Sequence, residues 1–205
     1  MGWQSIINFL AQHWVELIAA ILGLLSVWLT VRQNIWCWPT GLASVALHII
    51  IFYQTKLYSD VILQVVFEAL QIYGWYHWLY GAEDKPTLPV TKSRSFELLG
   101  WLAVGLLGTL IWGYPMNRYT DAAAPYPDAF IAVASLIAQW LQARKRLDSW
   151  YFWIAADVVA IPVYIYKELI PTAILYLVFL ILCVVGFGQW KKSMQITTIG
   201  VTATA

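Results

Sequence analysis

The stretch that decides the fold runs from Asn34 to Trp78 and opens with Asn34-Ile-Trp-Cys-Trp-Pro39. It contains two apolar runs, 38–53 and 61–78, joined by the short polar link 54–60. A helix needs about 20 mostly apolar residues to cross the hydrocarbon core of a bilayer. Both runs are close to that length, so the stretch predicts two helices that span a membrane.

The second helix of this stretch carries a single line of polar and aromatic side chains. Its members follow each other at intervals of four, three, four and three residues, which places them on one face of a helix. They are Gln64, Glu68, Gln71, Trp75 and Trp78. Buried amide and carboxyl groups cost several kcal/mol unless they are satisfied. The line therefore predicts either a wet binding site or a polar contact inside the protein core.

The composition of the whole chain is that of a membrane protein. Hydrophobic residues make up 61% of it and charged residues only 11%, whereas a soluble domain has about 25% charged residues. The mean hydropathy is +0.67. Seven apolar runs predict an all-α membrane protein with seven transmembrane helices, at 15–31, 36–53, 61–79, 98–114, 129–143, 150–166 and 172–190. A net charge of +1 gives no general attraction to nucleic acid.

The basic residues predict the orientation of these helices, because lysine and arginine favour the cytoplasmic side. Nine of the 12 basic residues fall on one side when the connections are numbered from the N-terminus. They are Arg32, Lys85, Lys92, Arg94, Arg144, Lys145, Arg146, Lys191 and Lys192. The other side receives Lys56, Arg118 and Lys167. We therefore expect the N-terminus outside and the C-terminus in the cytoplasm.

The two halves of the chain resemble each other at an offset near 112 residues. Gly74 and Gly186 each precede a tryptophan by four positions, and both follow a similar dipeptide, Lys56-Leu or Glu168-Leu, by 18. Asn34-Ile-Trp36 also resembles Asp148-Ser-Trp150. We interpret this as two parallel repeats of three helices separated by one linker helix, an arrangement of transporters whose site lies between the repeats.

This interpretation divides the chain into six segments. They are an interfacial N-terminal segment 1–14, a first three-helix repeat 15–80, a cytoplasmic loop 81–97, a linker helix 98–114, a second three-helix repeat 129–192 and a loose C-terminal tail 193–205. Helical spacing places further polar side chains in the second repeat. Gln139 lies on a polar line of the fifth helix, and Trp153, Asp157 and Tyr164 lie close to one face of the sixth. Tyr176 is the main polar group of the seventh helix.

Several residues have two readings. Glu16 lies near a helix end, where it is either wet or functional, and His48 lies mid-helix, where it lines a pathway or makes a local hydrogen bond. Cys37 and Cys183 have no metal-ligand spacing and are interpreted as packing residues. The chain has no Gly-x-x-x-x-Gly-Lys-Ser/Thr loop for ATP. We expect no metal and no cofactor.

A set of motifs in residues 15–192 resembles the PnuC family of bacterial vitamin transporters. In the first half these are Asn34-Ile-Trp-Cys-Trp-Pro-Thr-Gly41, Leu57-Tyr-Ser-Asp60 with Leu63-Gln64, and Ile72-Tyr-Gly-Trp-Tyr76 with Trp78. In the second half they are Pro127-Asp-Ala129, Ala138-Gln-Trp-Leu141 with Ala143-Arg-Lys145, Trp150 with Trp153 and Asp157-Val158, and Thr172-Ala173 with Leu175-Tyr176.

This resemblance implies a SWEET-like bundle of seven helices that forms a homotrimer in the bacterial inner membrane, among membrane lipids. It implies facilitated diffusion of nicotinamide riboside into the cell, where phosphorylation traps it. Thiamine or riboflavin is the alternative cargo, and proton-coupled symport through Glu68 or Asp157 is the alternative mechanism. We expect eight side chains to contact the solute, namely Gln64, Glu68, Gln71, Gln139, Trp153, Asp157, Tyr164 and Tyr176.

Two other classes of protein compete with a transporter. A membrane-embedded enzyme needs a cluster of carboxylates and histidines on facing helices, but His13, His48 and His77 lie at different predicted depths. A purely structural subunit of an assembly would bind no solute. A ligand-dependent shift in melting temperature discriminates this last class from a transporter.

Overall fold

The computed structural model describes residues 3–54, 56, 58–82 and 88–203, and within them it describes no side chain of residues 3–13, 58–59 or 197–203. These described residues form seven α-helices, which confirms the all-α prediction. The helices are α1 (Trp3–Val31), α2 (Cys37–Gln54), α3 (Tyr58–Tyr80), α4 (Ser95–Tyr119), α5 (Pro125–Ala143), α6 (Ser149–Tyr166) and α7 (Ile170–Ala203).

Within the described ranges, five of these helices are long and apolar enough to cross a membrane: α1, α2, α4, α6 and α7. The other two, α3 and α5, have 23 and 19 residues. Their amide and carboxyl groups lower the mean hydropathy, and these are the helices for which the sequence predicts polar lines. Spanning by α3 and α5 therefore stays a prediction.

Helix ends account for most differences from the predicted boundaries. The first helix begins at Trp3, inside the segment expected to be an interfacial lead-in. Helix α4 begins at Ser95, where the Arg94 N–H donates to the Glu97 carboxylate, and it continues through Pro115 to Tyr119. The expected C-terminal tail 193–205 begins within α7, which continues to Ala203 because no proline interrupts it.

The connections within the two three-helix repeats have the same backbone geometry. Gln33 and Lys145 have φ of 55° and 53°, and Lys56 and Glu168 have φ of 61° and 59°. Both members of each pair are 112 residues apart. The amide of Asn34 donates to Leu29 O and that of Arg146 to Leu141 O, each at 2.9 Å. The shared left-handed residue and hydrogen bond at one offset are consistent with the predicted repeat of α1–α3 and α5–α7.

A tryptophan packed on a glycine joins the second and third helices of each repeat. A Cβ added to Gly74 would lie 2.2 Å from the Trp38 ring, and one added to Gly186 would lie 2.5 Å from the Trp150 ring. Trp38 is therefore the counterpart of Trp150. The sequence-based pairing of Asn34-Ile-Trp36 with Asp148-Ser-Trp150 was wrong by two residues, because similarity between short sequence motifs does not show which indole covers the glycine.

The chain folds as two compact units, Met1–Trp75 and Tyr76–Ala205. In the first unit, α1 packs on α2 through small residues. The Ser44 hydroxyl donates to Ala19 O and the Ser26 hydroxyl to Cys37 O, both at 2.7 Å. These bonds satisfy the hydroxyls inside an apolar environment, where an unpaired polar group is costly.

In the second unit, α4 packs on α5, α5 on α6 and α6 on α7. The segment before α4 lies along the α5–α6 connection: Leu147 N donates to Thr91 O at 2.8 Å, and Ser93 N donates to the Asp148 carboxylate at 2.5 Å. At the other end of the unit, Lys167 Nζ lies 2.7 Å from both carboxylate oxygens of Asp128. These contacts fix both connections of α6.

Candidate functional site

The amide and carboxyl groups on the polar line of α3 are at least half-buried. Gln71 is buried, and Gln64 and Glu68 are half-buried, whereas Trp75 on the same line is exposed. Residues on other faces of the same helix, such as Ile62 and Ile72, are 63% and 56% exposed. The three polar groups are therefore more buried than these apolar side chains. Glu68 Oε2 is buried and has no hydrogen-bond partner among the described residues.

The carboxamide of Gln71 lies directly over the backbone of α2. A Cβ added to Gly41 would meet Gln71 Oε1 at 2.1 Å and Ser26 Oγ at 2.9 Å. Only glycine leaves room for the amide at this point. The first unit thus holds a polar group between α2 and α3, close to the hydroxyl that α1 contributes.

The structure shows the surroundings of His48 and Glu16. The Nδ1 atom of His48 lies 2.9 Å from Ser44 O, one turn earlier, and since a carbonyl only accepts, this nitrogen carries the proton. His48 therefore makes the local hydrogen bond that was one of its two interpretations from the sequence. Glu16 is exposed within its unit.

Three predicted site residues, Asp157, Tyr164 and Tyr176, lie together with Cys183 between α6 and α7. The Cys183 thiol donates to the buried Asp157 carboxylate with an S···O distance of 3.5 Å. Two turns away, the Tyr164 and Tyr176 rings lie 4.9 Å apart between centroids. Because α6 and α7 are consecutive packed helices, the thiol–carboxylate contact and the tyrosine pair form one continuous strip. A thiol is a weak donor, so Asp157 is the least compensated polar group of this strip.

Gln142 orients Trp153 in the second unit. The Trp153 Nε1–H donates to Gln142 Oε1 at 2.8 Å, and the Trp78 Nε1–H donates to Gln142 O at 3.1 Å. Gln139, the candidate from the same helix, is also buried. Gln142 was not among the predicted site residues, although it lies on the same polar line of α5 as Gln139. Its position on that line was the sequence signal that could have identified it.

An aromatic cluster lies where α3, α6 and α7 meet in the second unit. The Trp190 ring lies 5.8 Å from Trp78 and 5.3 Å from Trp150, and Lys145 Nζ lies 4.6 Å from the Trp78 ring centroid. Lys145 is buried. Indole faces attract cations, which accounts for a lysine in this position. The sequence analysis used Lys145 only as a charge that sets the orientation.

The repeat is asymmetric in chemistry at equivalent positions. The offset of 112 residues pairs Gly41 with Trp153 and Gln71 with Cys183. The first repeat therefore combines a small residue on its second helix with a carboxamide on its third. The second repeat combines a large indole with a small thiol. One unit presents amide and carboxyl groups, and the other presents aromatic rings and Asp157. No described set of three His, Cys, Asp or Glu residues has metal-binding geometry.

Long apolar helices that carry buried amide, carboxyl and indole groups define a multi-pass membrane transport protein. The chain belongs to the family described as nicotinamide mononucleotide transporter, which it matches over residues 13–192. This family consists of transporters, so the chain is not an enzyme.

Two relatives are equally similar to the chain. The nicotinamide riboside transporter PnuC of Escherichia coli is 27% identical, over 89% of this chain and 87% of the relative. The riboflavin/roseoflavin transporter RibM of Streptomyces davaonensis is also 27% identical, over 93% and 92%. The crystal structure of the vitamin B3 transporter PnuC superposes with a TM-score of 0.74 at 22% identity, covering 94% of this chain and 86% of that one. This last similarity confirms the fold.

Proposed function

We propose that this protein takes up nicotinamide riboside across the bacterial inner membrane by facilitated diffusion with alternating access. Intracellular phosphorylation then keeps the solute in the cell. The observation that carries the proposal is the poorly compensated, buried Asp157 carboxylate in a strip of aromatic side chains. A cationic aromatic ring that bears a carboxamide and is joined to a sugar with hydroxyls matches such groups, and each aromatic face adds about 0.5–2 kcal/mol of attraction for a cation.

The residues proposed to contact the solute are Gln64, Glu68 and Gln71 of the first unit together with Gln139, Trp153, Asp157, Tyr164 and Tyr176 of the second. Amide groups pair with amide or hydroxyl edges, and carboxylates accept from ribose hydroxyls. Glu68 Oε2 has no protein donor among the described residues. A solute hydroxyl would supply one.

Uptake by proteoliposomes tests these assignments. Labelled riboside uptake is expected to collapse in Gln64→Ala, Glu68→Ala and Asp157→Ala variants, while the matched variant Gln189→Ala, at an exposed position of α7, keeps wild-type uptake. The melting temperature of each variant verifies that it is folded. Unchanged transport in all three site variants would contradict the proposal.

Riboflavin is the second candidate cargo, because the riboflavin transporter is as similar to the chain as the nicotinamide riboside transporter is. Thermal-shift screening against nicotinamide riboside, thiamine and riboflavin ranks the candidates. The riboflavin ring is neutral, whereas the nicotinamide ring is cationic. Asp157→Asn is therefore expected to weaken riboside binding and leave riboflavin binding unchanged.

Coupling to protons is a separate question. Facilitated diffusion predicts riboside flux that does not respond to an imposed pH gradient. Flux that follows the gradient, and loses this response in Glu68→Gln or Asp157→Asn, would establish symport instead.

We also propose that the chain works as a homotrimer, as its resemblance to the transporter family implies. Mass photometry in lipid nanodiscs is expected to show a protein mass three times that of the 23.4 kDa chain. A protein mass of one chain, together with full transport activity, would contradict this assembly.

A further inference from the structure

The second unit has an apolar groove lined by residues of α4, α5 and α6, none of which is among the proposed solute contacts. Its volume is about 390 Å³. An apolar cavity of about 150 Å³ is large enough to hold benzene. The groove therefore has room for a considerably larger apolar ligand.

Small residues form the floor of this groove and large ones form its sides. Gly105, Ala134 and Ala155 line it together with bulky side chains. The bulky residues are Leu98, Leu102, Leu106, Phe130, Tyr151 and Phe152. An apolar groove lined in this way fits a flexible hydrocarbon chain. The only polar side chains among the described residues of its lining are those of Thr109 and Tyr151, so it does not match a vitamin with several polar groups.

One end of the groove lies beside a group of exposed basic residues. Leu98 lines the groove and donates its backbone N–H to Arg94 O at 3.0 Å, and Arg94 is exposed. Phe152, also in the lining, belongs to the apolar cluster against which Trp140 packs, and the Arg144 guanidinium lies 5.3 Å from the Trp140 ring centroid.

These basic groups are available for an anion. Among the described residues, no carboxylate forms an ion pair with Lys92, Arg94 or Arg144, whereas Arg146 lies 3.9 Å from Glu97. Two exposed arginines near one end of an apolar groove, neither of them in an ion pair among the described residues, match a molecule with an anionic head and a hydrocarbon tail.

We propose that this groove is a specific site for an anionic phospholipid. One acyl chain lies along α4 between Leu98 and Thr109, and the phosphate binds at Arg94 and Arg144. Basic pockets beside membrane helices are known to hold anionic headgroups in this way. The lining residues are not those of the polar strip between α6 and α7, so this lipid-site proposal does not depend on the proposed transport function.

The test uses the purified full chain, stripped of lipid in neutral detergent and titrated with phosphatidylglycerol or phosphatidylcholine of identical acyl chains. Native mass spectrometry counts the bound lipids. We expect phosphatidylglycerol to bind about tenfold more tightly, the equivalent of about 1.4 kcal/mol. The double variant Arg94→Gln/Arg144→Gln should lose this preference, whereas Arg118→Gln, at the other end of α4, should keep it.

The groove itself is tested on α4. Gly105→Phe fills the floor and should abolish binding of both lipids, while Gly100→Phe is the matched control, since a Cβ at Gly100 meets no atom within 4 Å. If Gly105→Phe fails to fold, Ala155→Leu fills the same groove from α6. Equal affinities for the two lipids in the wild type would overturn the proposal. So would a Gly105→Phe variant that binds lipid normally but changes the number of subunits, because the groove would then be a subunit contact.

Discussion

In each predicted repeat a glycine lies under a tryptophan ring that leaves no room for a Cβ atom. An added Cβ at Gly186 would meet three atoms of the Trp150 ring at 2.5–2.8 Å, and Trp150 is almost fully buried. Gly186→Ala is therefore expected to destabilise the protein by about 1–3 kcal/mol through overpacking. Gly188→Ala, with no atom within 4 Å of the new Cβ, is the control on the same helix.

Melting curves of the purified variants measure the difference. We expect Gly186→Ala to melt well below the wild type and Gly188→Ala to melt at or slightly above it, because alanine favours a helix over glycine. Replacing Trp150 by Phe should recover part of the loss in the Gly186→Ala background. Equal melting temperatures for the two alanine variants would show that the indole moves aside without cost.

The hydrogen bond from Trp153 to Gln142 is the second prediction at this scale. Gln142→Leu removes the acceptor at 2.8 Å and leaves a half-buried indole N–H without it. A lost bond of this kind costs about 0.5–1.5 kcal/mol. If Trp153 contacts the solute, riboside KM should rise several-fold while kcat changes little, and Gln142→Asn should not restore it, since its side chain is shorter. An unchanged KM in Gln142→Leu would separate this bond from solute binding.

At the scale of elements, the segment 88–94 is held by the α5–α6 connection rather than by a helix of its own. Ser93 N donates to the completely buried Asp148. Asp148→Ala should leave this amide unsatisfied and cost about 1–3 kcal/mol. Hydrogen exchange at residues 90–94 is expected to speed up. Lys92→Ala in the same segment is the control, because the backbone carbonyl of Lys92, not its side chain, accepts from Arg146. Unchanged exchange in Asp148→Ala would show that the pairing of Thr91 alone holds the segment.

Periodicity predicted the helices well, because burial in lipid and helical spacing act locally. The amide and carboxyl groups on the polar line of α3, for example, are at least half-buried, although Trp75 on the same line is exposed. The exact ends were less predictable. Ser95 starts α4 through a carboxylate three residues into the helix, and Pro125 starts α5 at the first helical position, where its missing N–H costs nothing. Both are details of capping that hydropathy does not record.

Site residues were predictable in type but not in partner. Asp157 was selected for its cost in lipid, yet its contact with Cys183 is a tertiary contact that no spacing indicates. Cys183 itself was interpreted as a packing residue. Gln142 was not chosen as a site residue, although it lies on the same polar line of α5 as Gln139. Only the structure shows that it accepts a hydrogen bond from Trp153.

For the whole molecule, the two predicted repeats share the geometry of their connections and differ in the side chains at equivalent helical positions. Equal left-handed residues at Gln33 and Lys145 preserve the turns. At the same offset, Gly41 and Gln71 correspond to Trp153 and Cys183. The larger side chain of each pair is therefore on the third helix in the first repeat and on the second helix in the second repeat. A duplicated scaffold with unlike linings is suited to an asymmetric solute, such as one with an aromatic ring at one end and a sugar at the other.

The orientation of the molecule is the last prediction. The element order places Arg32, Arg144 and Lys145 after odd-numbered helices and Lys56 and Lys167 after even-numbered ones, with Arg118 in the last turn of α4. If all seven helices cross the membrane, the nine-to-three excess of basic residues puts the C-terminus in the cytoplasm. A fluorescent protein fused to the C-terminus in a bacterial host should fluoresce, and alkaline phosphatase fused there should be inactive. Phosphatase fused after Lys167 should be active, since one fewer helix precedes it. The reverse pattern would contradict the predicted orientation.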